Sequence, residues 1–248
     1  MIPAAGRTLQ MKYNQKKWFV LPMRCLLFIA IFCFCSIITK RNLTEITHWW
    51  TIIASVINIV TIIVLWVICK RNNTTYCEMI HYKKEQRSIF KGFLFIVIMI
   101  LIGMGGMYLA GLLCYGEFPY LAPMMIAPIP PYLAILNIFI LPLTTTLAED
   151  GIYLGYGVNN FSSKWAAVLI PAFFYALQHS FIPTIFDIKF ITYRFLSFLP
   201  LTLWICFKYY RGSSISYIMT GHWILNIATT IQIIITSFNP EAYTMLIK

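Results

Sequence analysis

The chain reads as all-α: a polytopic transmembrane helical bundle of about seven spans with a cytoplasmic N-terminus. Three observations carry that reading. Apolar types make up 60% of the 248 residues and charged types 11%, with a mean hydropathy of +0.76, whereas a soluble domain carries about 25% charged residues. Seven apolar stretches approach the roughly 20 residues that a bilayer crossing needs. The Lys and Arg side chains fall unevenly between alternate connections, as the positive-inside rule requires. This composition excludes a soluble globular enzyme, a disordered chain and a nucleic-acid module with a solvated surface. The net charge of +11 then reports loop orientation rather than a polyanionic partner.

The elements follow in order. Lys12, Lys16 and Lys17 precede the first apolar run, 18–39. The run is as long as a span and lacks a small-x-small cleavage site, so it reads as an uncleaved first span after a cytoplasmic segment, 1–17. Spans two and three cover 49–69 and 92–115, and complete a region, 18–115, of three N-terminal helices. The basic cytoplasmic loop between them, 70–91, suits a surface of anionic lipid. Gly103, Gly105, Gly106 and Gly111 read as sites of close helix packing. The second region, 116–248, opens with Pro119, Pro123, Pro128, Pro130 and Pro131. These cannot run as a regular helix and suggest an irregular outer segment dipping into the membrane surface. Four more spans follow, at 132–154, 165–183, 190–209 and 214–238.

The charges test the count. With the N-terminus inside, the inner segments hold thirteen of the 19 Lys and Arg. The outer segments hold four, Lys40, Arg41, Lys189 and Lys248, while Arg24 and Arg194 lie within spans. The seven cysteines form no CxxC and read as lone buried thiols.

Ionisable groups inside a bilayer are costly, at least about 2.5–3.5 kcal/mol for Asp, Lys or Arg at mid-span. Among the acidic residues, Glu149 and Asp150 fall within a span; among the histidines, His179 and His222 do. Asn226 follows His222 by four positions, so the two share a helix face, as do Tyr175 and His179. Glu149 is expected near the cytoplasmic end of span four, and His222 about two turns into span seven. His179 lies fourteen residues past Trp165, so span five must tilt or begin later to bring it to the same depth. Each residue alone has an ordinary reading as interhelical glue or a hydrated cap. Their joint occurrence points to chemistry.

At these residues the sequence resembles the CAAX-processing and bacteriocin-processing (CPBP, or Abi) intramembrane proteases. The family pattern is Glu-Glu-xxx-Arg, then Phe-xxx-His, then His-xxx-Asn, on successive core helices. Here the first runs Glu149-Asp150 to Leu154, the second Tyr175 to His179, the third His222 to Asn226. The stretch Tyr210-Arg211-Gly212-Ser213-Ser214-Ile215 also resembles the family's basic-Gly-Ser lead-in, and the likeness covers about 130–238. Asp150 for Glu and Tyr175 for Phe are mild departures. Leu154 in place of Arg is not, because it removes the counter-charge of the carboxylates. Arg194, in span six, is the expected substitute through space.

The resemblance implies an intramembrane endopeptidase. The residues agree: there is no GxSxG elbow, no HExxH and no GxGD, so water is the expected nucleophile. Glu149 would be its general base, His179 would hold the water and shuttle a proton, and His222 with Asn226 would donate to the oxyanion. Asp150 and Tyr175 would support them. No cofactor is expected, although Glu149, His179 and His222 are also plausible zinc ligands. The partners implied are a peptide or lipidated protein in the membrane and the bilayer itself, with no nucleic acid. Relatives of this family process prenylated C-termini, pheromones or bacteriocin leaders, or confer bacteriocin self-immunity. An Ile-, Asn- and Lys-rich composition suggests an AT-rich genome and a bacterial plasma membrane. Two other classes stay open: a non-catalytic immunity or interaction protein, for which Leu154 is the best evidence, and a proton-coupled transporter.

Overall fold

The computed structural model describes residues 18–83 and 88–246. The expected cytoplasmic segment 1–17 lies outside the described residues, as do Lys84, Arg87 and Lys248. Seven long helices account for most of the remainder: α1 (Met23–Thr39), α2 (Trp50–Arg71), α3 (Ile89–Tyr115), α4 (Pro131–Glu149), α5 (Lys164–His179), α6 (Ile188–Tyr210) and α7 (Ile215–Phe238). The all-α polytopic bundle is borne out. Five of its helices are long and apolar enough to cross a membrane, and α1, with 17 residues, is shorter. α5 has 16 residues and ends at His179, four residues before the expected end of span five. At about 1.5 Å per residue, neither α1 nor α5 matches a hydrocarbon core of about 30 Å by itself.

The principal packing pairs close into a ring: α1 on α2, α2 on α4, α4 on α7, α7 on α3, α3 on α6, α6 on α5, and α5 back on α1. Polarity is arranged inside out. Phe34, Ile37, Trp66, Phe93, Leu101 and Phe139 are exposed on the outside, whereas Arg24, Asn58, Glu149, Asp150, His179 and His222 are buried. That is the arrangement expected when the solvent is lipid.

Local chemistry sets the ends. Pro131 opens α4, where a missing N–H costs nothing. Asp187 caps α6, its Oδ1 accepting from the N–H of Lys189 at 2.7 Å. Thr75 and Glu78 form a capping box on a short helix, Tyr76–Met79, within the basic loop. That helix packs inward: Met79 and Ile80 are buried in the main apolar cluster, and the Tyr76 hydroxyl donates to the carbonyl of Leu147 at 2.7 Å. The proline-rich segment is irregular, as expected. It is pinned by the Thr236 hydroxyl donating to the Ile126 carbonyl at 2.7 Å and by Trp50 Nε1 donating to the Met125 carbonyl at 3.3 Å.

Close packing of α3 on α6 is concentrated at Gly106. A Cβ added there would lie 2.6 Å from the Ser197 carbonyl oxygen, whereas one at Gly105 would meet nothing within 4 Å. Gly106→Ala is therefore expected to destabilise by about 1–3 kcal/mol. Gly105→Ala should be neutral or stabilise by up to about 1 kcal/mol through helix propensity. Melting of both variants in detergent checks the contrast; equal melting temperatures would remove Gly106 as the contact point.

One expectation needs correction. The sequence places the end of span four near Leu154, with Glu149 close to it. Instead α4 continues without a break into a π-helical segment, Asp150–Gly157, and one further turn, Val158–Asn160. The continuous element is 30 residues long, so Glu149 sits well inside it. The wide turn lies in the middle of the bundle, against α2, α5 and α6. Gly151 lets it fit, since a Cβ there would lie 2.7 Å from Leu65 Cδ1 and 2.9 Å from Tyr76 Cε2. π turns inside α-helices are frequent at functional sites.

Candidate active site

The junction of α4 with its π-helical extension puts the two acidic residues side by side at the centre of the ring. Glu149 is the last α-helical residue and Asp150 the first π-helical one. Glu149 Oε2 lies 3.8 Å from His179 Nε2 and 3.7 Å from His222 Nε2. It is buried and accepts no hydrogen bond. Three of the residues picked out in the sequence thus converge, from α4, α5 and α7. The His179 and His222 side chains each keep 11% of their surface accessible, against 2% for Glu149 and 0% for Asp150. The cluster can therefore be approached past the histidines and not past the carboxylates.

The other oxygen of Glu149 is held from a helix in which the sequence offered no motif. Arg24 of α1 donates from Nη2 to Glu149 Oε1 at 2.9 Å. The same guanidinium donates from Nη2 to Asn58 Oδ1 at 2.9 Å, from Nη1 to Thr61 Oγ1 at 2.9 Å, and from Nε to Gln178 Oε1 at 2.5 Å. Asn58 passes the contact on, donating to Thr145 Oγ1 at 2.8 Å. Tyr153, stacked on Tyr175, donates to Gln178 Oε1 at 3.2 Å. A charged network that engages every nitrogen of the guanidinium is what a buried arginine requires; the Gln178 carboxamide nitrogen and Glu149 Oε2 are the atoms of it left without a partner.

Asp150 serves His222. Its Oδ1 and Oδ2 both lie 3.3 Å from His222 Nδ1. The Tyr175 hydroxyl donates to Asp150 Oδ1 at 3.0 Å and lies 3.2 Å from His222 Nδ1. With the hydroxyl proton given to Asp150, the oxygen's lone pair faces Nδ1. Both neighbours therefore favour a proton on Nδ1, which leaves Nε2 directed at Glu149. His179 is fixed differently. Its ring stacks on Phe198 with centroids 3.6 Å apart and planes 10° from parallel.

Arg194 does not reach the acidic pair through any of its hydrogen bonds. Nε donates to the carbonyl of His179 at 3.2 Å and Nη2 to that of Ile182 at 3.1 Å. It ties down the end of α5, where the last carbonyls of a helix need donors. The expected substitute for the missing motif arginine is thus corrected: the guanidinium on Glu149 is that of Arg24. Leu154 itself is buried in the main apolar cluster. Asn226 donates to the carbonyl of His222 at 3.0 Å, within its own helix, and is only half-buried. It lies one turn from the cluster, with one N–H of its carboxamide engaged.

The residues missed by sequence reasoning are Arg24, Asn58, Thr61 and Gln178. A signal was present. Thr51, Ser55, Asn58 and Thr61 recur every three or four positions along α2, all buried, and mark a polar stripe facing a partner.

The donor set does not fit a metal ion. Among the described residues no group of three or more His, Cys, Asp or Glu side chains is arranged to hold one. The guanidinium on Glu149 also opposes a dication at that carboxylate.

Residues 131–228, less than half of the chain, match the family model described as type II CAAX prenyl endopeptidase Rce1-like. The match covers α4, α5, α6 and most of α7, including all three motif segments. No curated protein and no solved structure matches the chain.

Proposed function

With residues 131–228 Rce1-like, and so of a protease family, we propose that the chain is a multi-pass intramembrane endopeptidase that hydrolyses a membrane-associated or lipidated peptide. The observation that supports it most is the orientation of Glu149: one oxygen is held by Arg24, the other is unpaired between two imidazole nitrogens.

In this reading a water donates one hydrogen to Glu149 Oε2 and the other to His179 Nε2. Glu149 takes the first proton as the water oxygen adds to the scissile carbonyl. The proton then passes to the leaving amine, so the carboxylate is regenerated and one water is consumed. Position is the main contribution, since a well-placed base accelerates such a step by about 10²–10⁴-fold. His222, with Nδ1–H engaged by Asp150, supplies its Nε2 side to the developing oxyanion as the imidazolium. The remaining N–H of Asn226 is the second donor proposed. Loss of one such donor costs about 2.7–4 kcal/mol. No step runs through a metal. A bacterial plasma membrane and a role in peptide processing belong to the same proposal.

The test compares membrane peptides by mass spectrometry from cells making wild type, His179→Ala or His222→Ala at matched levels. Cleavage products present with wild type are expected to vanish in both variants and to persist in wild type treated with a chelator. Identical peptides in all three strains of the native host would remove the protease reading. Loss in chelator restored only by zinc would remove the metal-free step.

A further inference from the structure

We propose that Arg24 is a positioning residue for the hydrolysis. Its guanidinium fixes Glu149 by Oε1 so that Oε2 faces His179 and His222, which makes α1 and α2 part of the active site. The proposal rests on the role of Glu149 as base.

The terminal torsion of a Glu side chain is soft and roughly two-fold, so a carboxylate without a fixed partner does not choose which oxygen faces the substrate. Arg24 removes that freedom. It is fully buried, and each of its three nitrogens is engaged: Nε by Gln178, Nη1 by Thr61, Nη2 by Asn58 and Glu149. A planar fork held at four points has one orientation. Two of those points are tied to the chemistry. Asn58 bonds to Thr145, one turn before Glu149 on the same helix, and Gln178 directly precedes His179. One side chain from α1 therefore sets Glu149 against α4 and α5 together. Leu154, where the motif carries its own arginine, cannot do so.

A purely structural ion pair makes a different forecast, namely lost stability with unchanged turnover of the folded fraction. The experiment is steady-state cleavage of a synthetic peptide spanning the cut site found in the membrane-peptide comparison, by purified full-length Arg24→Met and Arg24→Lys, scaled to the folded fraction, with Glu149→Gln alongside. Misplacement by about 1 Å costs about 100-fold. Arg24→Met is expected to lose about that factor in kcat with KM within about twofold. Arg24→Lys, which keeps the charge but not the fork, should recover part of it. Wild-type kcat in Arg24→Met, or in Arg24→Lys where the Met variant does not fold, overturns the proposal. If Glu149→Gln is inactive in that case, the protease reading stands without it. Wild-type activity in Glu149→Gln overturns the proposal together with Glu149 as the base, and leaves cleavage itself standing. Melting of the two single variants and the double variant reads the pair without substrate. Arg24→Met/Glu149→Gln should melt above Arg24→Met, because the uncompensated carboxylate is gone, and a lower or equal value counts against the pairing.

Discussion

Glu149→Gln is expected to lower kcat for peptide cleavage by about 10²–10⁴-fold while leaving a folded bundle. The substitution is nearly isosteric. A carboxamide oxygen can still accept from Arg24 Nη2, where Glu149 Oε1 now accepts at 2.9 Å, so most of the network with Asn58, Thr61 and Gln178 survives. What disappears is the basic oxygen between the two imidazoles. Glu149→Ala removes the same base but also strands a buried guanidinium, a defect worth about 3–5 kcal/mol. The two variants should therefore be equally inactive and unequally stable. Kinetics with thermal melting in detergent separates them. A Gln variant within tenfold of wild type would remove Glu149 as the base.

Asp150→Asn is the second large effect, expected at about 10³-fold in kcat. Both carboxylate oxygens lie 3.3 Å from His222 Nδ1 and accept its proton. An amide in the same place can donate to Nδ1 instead and does not stabilise the imidazolium, so His222 loses the charge with which its Nε2–H is proposed to meet the oxyanion. In hydrolases with an Asp–His pair this change costs about 10⁴-fold with the geometry intact. Since the Tyr175 hydroxyl can still donate to the amide oxygen, packing should hold. Measurement of kcat at matched folded protein decides it, and a loss below threefold would reduce Asp150 to a packing role.

The helices and the histidine–glutamate cluster were legible in the sequence because each is a local signal. Apolar runs of span length mark α2, α3, α4, α6 and α7, and an ionisable group in such a run stands out by its cost. The four-residue spacings of Tyr175 to His179 and of His222 to Asn226 mark faces. What was not legible depends on tertiary distance. Arg24 and Glu149 are 125 residues apart, and no periodicity connects them. Arg194 was an equally good candidate by composition, and only packing assigns it to the carbonyls of His179 and Ile182. The π-helical stretch was hidden for another reason. Asp150-Gly151 and the glycines at 155 and 157 read locally as a helix end, yet the chain continues because those positions admit Leu65, Tyr76 and Ile80 against the backbone.

The arginine on α1 has a consequence for biosynthesis. The polypeptide is made from its N-terminus, so Arg24 enters the membrane with a 17-residue helix that is too short to span about 30 Å of hydrocarbon unaided. It stays without its acid until Glu149 follows 125 residues later. An unpaired guanidinium within a span is costly; Asn58 and Thr61 of α2 engage it first, and its charge is paired only when α4 docks. Helices α4 and α5, made later, therefore help to draw α1 into place. Chains that stop before α4 lack the carboxylate and those that stop before α7 lack His222, so the cluster is assembled only in the completed bundle.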